Sequence, residues 1–191
     1  MGAPLVELLE ALAGIFEGPG PLPRQALRSA GQGGWAGPEL ARALARLAVA
    51  PSGGLGVAYA DHFLVNSWHP VLHLEASVRT CGHLADPEVL SDLAALQATL
   101  GGRSSTLRSA DHLSVELETL ARGLRTLAEA PDGAVEAALR RLGRQHLLPH
   151  LEALRELARD RPMAEAYEAA LAAAEALVRE ILEALDVPEV G

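Results

Sequence analysis

The stretch Ser109–Leu127, SADHLSVELETLARGLRTL, decides the fold of this chain. Its leucines at 113, 117, 120, 124 and 127 follow one another in alternating steps of four and three residues. This spacing places apolar side chains along one side of an α-helix. We therefore predict a helix over about 109–129 that lies in the core.

A polar pair, Asp111-His112, stands directly before the first leucine of this stripe. The start of a helix carries partial positive charge and unpaired N–H groups, so an Asp at this place often serves only as a cap. On a helical wheel His112, Glu116 and Thr119 flank the leucine stripe, whereas Asp111 and Glu118 face away from it. The pattern predicts a helix with core on one side and a polar groove on the other.

Helical periodicity continues on both sides of this stretch. Apolar spacing and proline or glycine boundaries predict helices at 4–16, 23–30, 38–48, 55–65, 86–100, 134–160 with a kink near Pro149, and 162–185. Residues 50–83 are the least regular and include a predicted loop at 66–70. Nothing alternates with the period of two typical of a half-buried strand. We predict an all-α fold, a single globular domain of eight or nine helices over residues 1–191, with a hinge at 101–109.

Composition excludes several classes of protein. A chain of 191 residues suits one domain, and the lone Cys81 excludes an intramolecular disulfide framework. Charged residues interrupt every long apolar stretch, so we expect no membrane span. The single cysteine and an N-terminus without signal-peptide features lead us to expect a cytoplasmic location. The net charge of −9 argues against nucleic acid as a partner. Residues 163–191 hold seven acidic residues against the single Arg179, which favours a solvated helix face over a basic-peptide site.

Histidine spacing leaves a second interpretation open. His69 and His73, and likewise His146 and His150, stand four residues apart, the spacing at which a continuous helix brings two imidazoles to one metal ion. Pro70 and Pro149 disturb the helix at both pairs, which disfavours metal binding. A small helical metal protein or enzyme that uses these histidines remains the alternative hypothesis, beside a helical scaffold for some other partner.

Three stretches together resemble a known family. The sequence from Asp111 to Glu118, DHLSVELE, is similar to the "DH[LI]xxELEF" signature of the TorD/DmsD/NarJ chaperones. The sequence HLLPHL at 146–151 is similar to their "HLLPWL". Tyr59 and Phe63, followed by Ser77, fall where the family carries a "YxxLF…SVY" region. The order and separations of these stretches also agree, so the resemblance spans about residues 4–185.

The resemblance implies a TorD-like helical chaperone rather than an enzyme, without a cofactor of its own. Such a protein binds the N-terminal region, often a twin-arginine signal peptide, of a molybdenum-containing oxidoreductase catalytic subunit until the molybdopterin cofactor is inserted. We expect a monomer or, through exchange of helices at the irregular link 101–109, a domain-swapped dimer. The peptide-binding residues implied are these: Asp111, His112, Glu116, Glu118, Tyr59, Phe63 and Ser77.

Overall fold

The computed structural model describes residues 2–64, 72–81, 86–102, 108–159 and 163–187, without the side chains of 79–81. The helices in these ranges are α1 Ala3–Glu17, α2 Arg24–Gln32, α3 Pro38–Val49, α4 Leu55–Tyr59, α5 Ala76–Cys81, α6 Pro87–Thr99, α7 Leu113–Glu129, α8 Gly133–Arg141, α9 Leu148–Arg159 and α10 Glu165–Asp186. A π-helical turn at Ala60–Leu64 extends α4, and another at Leu142–Leu147 joins α8 to α9. The described residues thus form nine continuous helical stretches, which confirms the all-α prediction.

Two antiparallel helices, α1 and α7, pack along each other through the core. Their direction is evident from two contacts, since Glu10 forms an ion pair with Arg125 and the Arg108 guanidinium donates to the Glu17 carbonyl at 2.7 Å. Leu113, Leu117 and Leu120 on α7 are fully buried, as the leucine spacing predicted. The start of α1 therefore lies near the end of α7, and the end of α1 near the start of α7.

The last helix, α10, is the most deeply enclosed. It packs against α3 and α9, and alanines on its inner face let these neighbours approach closely. Several of its carboxylates pair with arginines of other helices: Glu168 with Arg46, Glu175 with Arg155, and Asp186 with Arg140 and Arg144. Much of the acidic C-terminal charge is therefore neutralised within the fold.

The structure differs from the prediction at one helix boundary and in one additional helix. Helix α7 begins at Leu113 rather than near 109, because His112 has an extended backbone and pairs with Glu75 in an isolated antiparallel bridge. The six-residue helix α5 was not predicted, since so short a segment shows no helical period. The π-helical turn lies just before Pro149, the residue at which the kink was predicted, because proline has no N–H to donate.

Parts of three predictions fall outside the described residues. These are the loop at 66–70, most of the link at 101–109, and the His69 member of the first histidine pair. Among the described helices, none has both the length and the apolar character that crossing a membrane requires.

Candidate functional site

Two segments far apart in sequence meet at the start of α7, and we call them the clasp: residues 72–77 and 109–113. The Leu113 N–H donates to the Leu74 carbonyl at 2.8 Å, and the Ala76 N–H donates to the Asp111 carbonyl at 2.9 Å. The segment before α5 is thereby tied to the segment before α7. This pairing uses backbone groups that neither helix satisfies internally.

The Asp111 carboxylate is the polar centre of the clasp. Its Oδ2 accepts from the Ser77 N–H at 3.1 Å and from the Ser77 hydroxyl, while Oδ1 accepts from the Ser109 hydroxyl. Asp111 is fully buried, so the prediction that it faces away from the core is wrong. A buried carboxylate needs such donors to offset its lost hydration, and Asp111 obtains them by capping α5 instead of its own helix.

His112 caps α7 with its side chain. Its Nδ1 accepts from the Ser114 N–H at 3.3 Å and lies 2.8 Å from the Ser114 hydroxyl. Burial lowers the pKa of His112 to about 4, with further lowering by the charges of Arg108 and His150 and a smaller opposing effect of Asp111. The imidazole is therefore neutral at physiological pH, with its proton on Nε2 because Nδ1 accepts the bond from the Ser114 N–H.

Glu116 and His150 form a second buried polar contact, between α7 and α9. The His150 Nδ1 lies 3.4 Å from the Glu116 Oε1, and both side chains are almost completely enclosed. Among the described residues no hydrogen bond to the Glu116 carboxylate has good geometry. This buried contact between a carboxylate and an imidazole joins α7 to α9.

His146 and His150 contact different helices and do not point to a common site. The His146 Nε2 lies 2.7 Å from the Asp92 Oδ2 on α6, whereas His150 contacts Glu116 on α7. Within the ranges that the structure describes, no three His, Cys, Asp or Glu residues are placed to hold a metal ion. Sequence reasoning missed His150 as a neighbour of the Asp-His pair, although it lies in the HLLPHL stretch that carried the resemblance.

An aromatic cluster lies between α4 and the start of α10. Phe63 is 5.2 Å from Tyr59 and 5.1 Å from Tyr167, measured between ring centroids. The Tyr59 hydroxyl donates to the Phe16 carbonyl at 3.1 Å, and the Tyr167 hydroxyl donates to the Leu55 carbonyl at 3.2 Å. Burial raises the pKa of both tyrosines, that of Tyr167 to about 12. Tyr59 and Phe63 thus support the fold through buried contacts, together with Tyr167, which was not predicted as a site residue.

Six of the seven predicted site residues are buried, and Glu118 alone is partly exposed. Four of the six belong to the clasp or to the Glu116–His150 contact, and the other two, Tyr59 and Phe63, belong to the aromatic cluster. The exposed surface of the α4 stretch is different in character. Val57 and Leu64 are 69% and 53% exposed, and the exposed Asp61 stands between them in the sequence. An apolar and acidic strip thus lies on the outside of the stretch whose inner face holds the aromatic cluster.

A family model described as nitrate reductase delta subunit matches residues 30–156, more than half of the chain. The chain belongs to this family. The matched range contains the clasp, the Glu116–His150 contact, and Tyr59 and Phe63 of the aromatic cluster. Members of the delta subunit family are chaperones that mature molybdenum enzymes and are not catalysts. No curated protein and no solved structure matches the chain significantly.

Proposed function

We propose that this delta subunit family member binds the N-terminal region of a molybdoenzyme catalytic subunit, in some clients a twin-arginine signal peptide. It holds that subunit in the cytoplasm until the molybdopterin cofactor is inserted. The observation that carries the proposal is the family match, whose range includes the Asp-His signature at the start of α7. The mechanism is non-covalent capture of a peptide by a helical surface, so it requires no catalytic group.

In this proposal the predicted site residues divide into two roles. Asp111, Ser77 and His112 hold the clasp, and Glu116 fixes α9 against α7, so these buried groups set the shape of the surface. Tyr59 and Phe63 hold the α4 stretch against α10 in the same way.

Direct contact with the peptide falls to the exposed neighbours of these groups. Val57 and Leu64 offer apolar area to the hydrophobic part of the peptide. Asp61 and Glu118 offer carboxylates to its arginines, which bind such groups through charge-assisted hydrogen bonds.

The test uses a synthetic peptide that covers the N-terminal region of a molybdoenzyme catalytic subunit from the same genome. Because a ligand that binds only the folded state stabilises it, a hundredfold excess over Kd should add about 2.7 kcal/mol to the free energy of unfolding. Calorimetric titration below the melting temperature gives Kd directly. Absence of both stabilisation and heat of binding, for the N-terminal peptides of all such subunits in the genome, would contradict the proposed function.

Two matched pairs of variants locate the site. Leu64→Ser should weaken peptide binding by about tenfold, since it removes exposed apolar area, whereas Leu157→Ser removes a similarly exposed leucine on α9 and should leave Kd unchanged.

Asp111→Asn should loosen the clasp, lower stability by about 1–3 kcal/mol and weaken binding. Its control, Asp132→Asn, alters an exposed cap that accepts from the Ala134 N–H. Equal Kd values within both pairs would rule out this location.

A further inference from the structure

A mostly apolar groove lies at the start of α1, away from the clasp. A cavity of about 640 Å³ is lined by Pro4, Leu5, Trp35 and Val187, with Glu180 and Glu183 of α10 at its side. A second cavity of about 730 Å³ shares Pro4 and Trp35 with the first and continues along α2. We call the two together the Trp35 groove. Volumes of this size accommodate side chains of a ligand or peptide.

Two glycines allow the defining side chains of the groove to lie where they do. A Cβ atom on Gly33 would approach the Trp35 Nε1 to 2.6 Å, so the indole packs directly over this glycine. A Cβ atom on Gly37 would approach the Glu180 Oε1 to the same distance. The Gly37 N–H donates to that oxygen at 2.9 Å. The indole ring and one carboxylate are thus held side by side by the short segment between α2 and α3.

The charge of the groove is negative. Glu180 is half-buried, Glu183 is exposed on the same helix, and Glu7 lines the adjoining cavity. Arg24 also lines that cavity, but its guanidinium donates to the Ala48 and Ala50 carbonyls and to Ser52. Burial raises the pKa of Glu180, against the lowering effect of the Gly37 N–H, and the neighbouring Glu183 raises it further. A cation placed between these carboxylates would lower the pKa of Glu180 and so oppose the effects of burial and of Glu183.

We propose that the Trp35 groove docks a segment of a partner protein in which an arginine or lysine stands between apolar side chains. The cation pairs with Glu180 and Glu183, and its stem and the ring of Trp35 lie in contact. The neighbouring apolar side chains pack on Leu5 and Val187. Charge complementarity argues for this occupant, because an acidic peptide would meet three carboxylates and a wholly apolar one would leave them unpaired.

This surface goes beyond the site of the proposed function. The clasp lies at the end of α1, where Arg108 contacts Glu17, whereas the Trp35 groove begins at Gly2 and Pro4. The length of the 15-residue helix α1 places the first cavity about 22 Å from the clasp, and the second cavity extends along α1 as far as Leu8. A basic segment in the groove therefore does not overlap a peptide at the clasp.

The experiment measures fluorescence anisotropy of the full chain with a short fluorescein-labelled peptide that alternates arginine with leucine. The double variant Glu180→Gln with Glu183→Gln removes both charges and keeps an acceptor for the Gly37 N–H. It should bind the peptide at least about tenfold more weakly than the parent. The control, Glu88→Gln with Glu156→Gln, removes two exposed charges elsewhere and should change Kd by less than about twofold.

A glycine pair tests the apolar half of the groove. Gly33→Ala must displace the Trp35 indole without altering charge, and its backbone angles suit alanine, so it should also weaken binding severalfold. Gly31→Ala meets only Leu44, at an ordinary 3.7 Å, and should bind as the parent does. Thermal melts followed by circular dichroism show that each variant is folded.

Three results would overturn the proposal. The first is no binding of the arginine peptide by the parent, and the second is equal affinity in the parent and the Glu180–Glu183 variant. The third is a parent dimer in sedimentation velocity that this variant dissociates, since the groove would then hold a second copy of the chain. The client peptide is titrated separately. A parent that binds the client peptide but gives any of these three results contradicts the groove and leaves the proposed function standing.

Discussion

Single residues at the start of α7 combine burial with polarity, which is costly unless each polar atom has a partner. Asp111 has three donors and His112 has the Ser114 N–H and hydroxyl. The two bonds from Ser77 join Asp111 to the segment 72–77, and the other bonds hold residues 109–114 together. The side chains of the Asp-His pair therefore stabilise the backbone around them. A substitution at either position therefore disturbs the structure of the clasp first, and affects ligand binding through that change.

His112 should make the stability of the protein depend on pH. The unfolded chain binds a proton at this histidine near pH 6.5, whereas the folded chain binds it only near pH 4. Because the unfolded state then holds more protons, the free energy of unfolding falls as pH is lowered through this window, by about 3 kcal/mol from His112 alone. Urea unfolding at several pH values across the window measures this slope.

The variant His112→Asn isolates this contribution, since asparagine does not titrate and is itself a good helix cap. Its stability should fall less steeply between pH 6.5 and pH 4 than that of the parent. Identical slopes in the parent and His112→Asn would show that His112 is not the group responsible.

At the scale of helices, two glycines predict opposite effects of the same substitution. Gly14 lies within α1 with nothing near its missing Cβ, so Gly14→Ala should raise the free energy of unfolding by about 0.5–1 kcal/mol. On α7 a Cβ at Gly123 would lie 2.7 Å from Leu139 and 2.8 Å from Leu100. Gly123→Ala should therefore lower the free energy of unfolding by about 1–3 kcal/mol, despite the same gain in helix propensity.

Urea unfolding of both variants at one pH checks this pair. Stabilisation by both substitutions would mean that α6 and α8 can move away from α7 at little cost. In that case the close approach at Gly123 would not determine the packing of these helices.

The longer helices were predictable because each carries its own apolar period, as α7 does at Leu113, Leu117 and Leu120, whereas the six-residue α5 is too short to show one. The clasp was not, since Ser77 and Asp111 are 34 positions apart and a period within one helix does not show what packs on it. A helical wheel that begins at residue 109 placed Asp111 on the solvent side. Because α7 begins four residues later, Asp111 precedes the helix and the wheel does not apply to it. The family signature located the site in the sequence, while the burial of its polar groups required the tertiary contacts.

At the scale of the whole molecule, α1 connects two proposed surfaces of different character. One end contacts the clasp region through Glu17, and the other borders the Trp35 groove through Pro4 and Leu5. Helix α10 contributes to both, since Tyr167 near its start joins the aromatic cluster and Glu183 near its end lines the groove. A dimer formed by exchange of helices through the link at 101–109 stays a prediction.

Because the first cavity of the groove and the clasp lie at opposite ends of α1, the two surfaces should bind independently. The arginine–leucine peptide should have the same Kd, within about twofold, for the free chain and for the chain saturated with client peptide. Isothermal titration should also find that the Glu180–Glu183 variant binds the client peptide as the parent does. A tenfold or larger change in either Kd would mean that the peptides share one surface, or that α1 and α10 shift together when one of them binds.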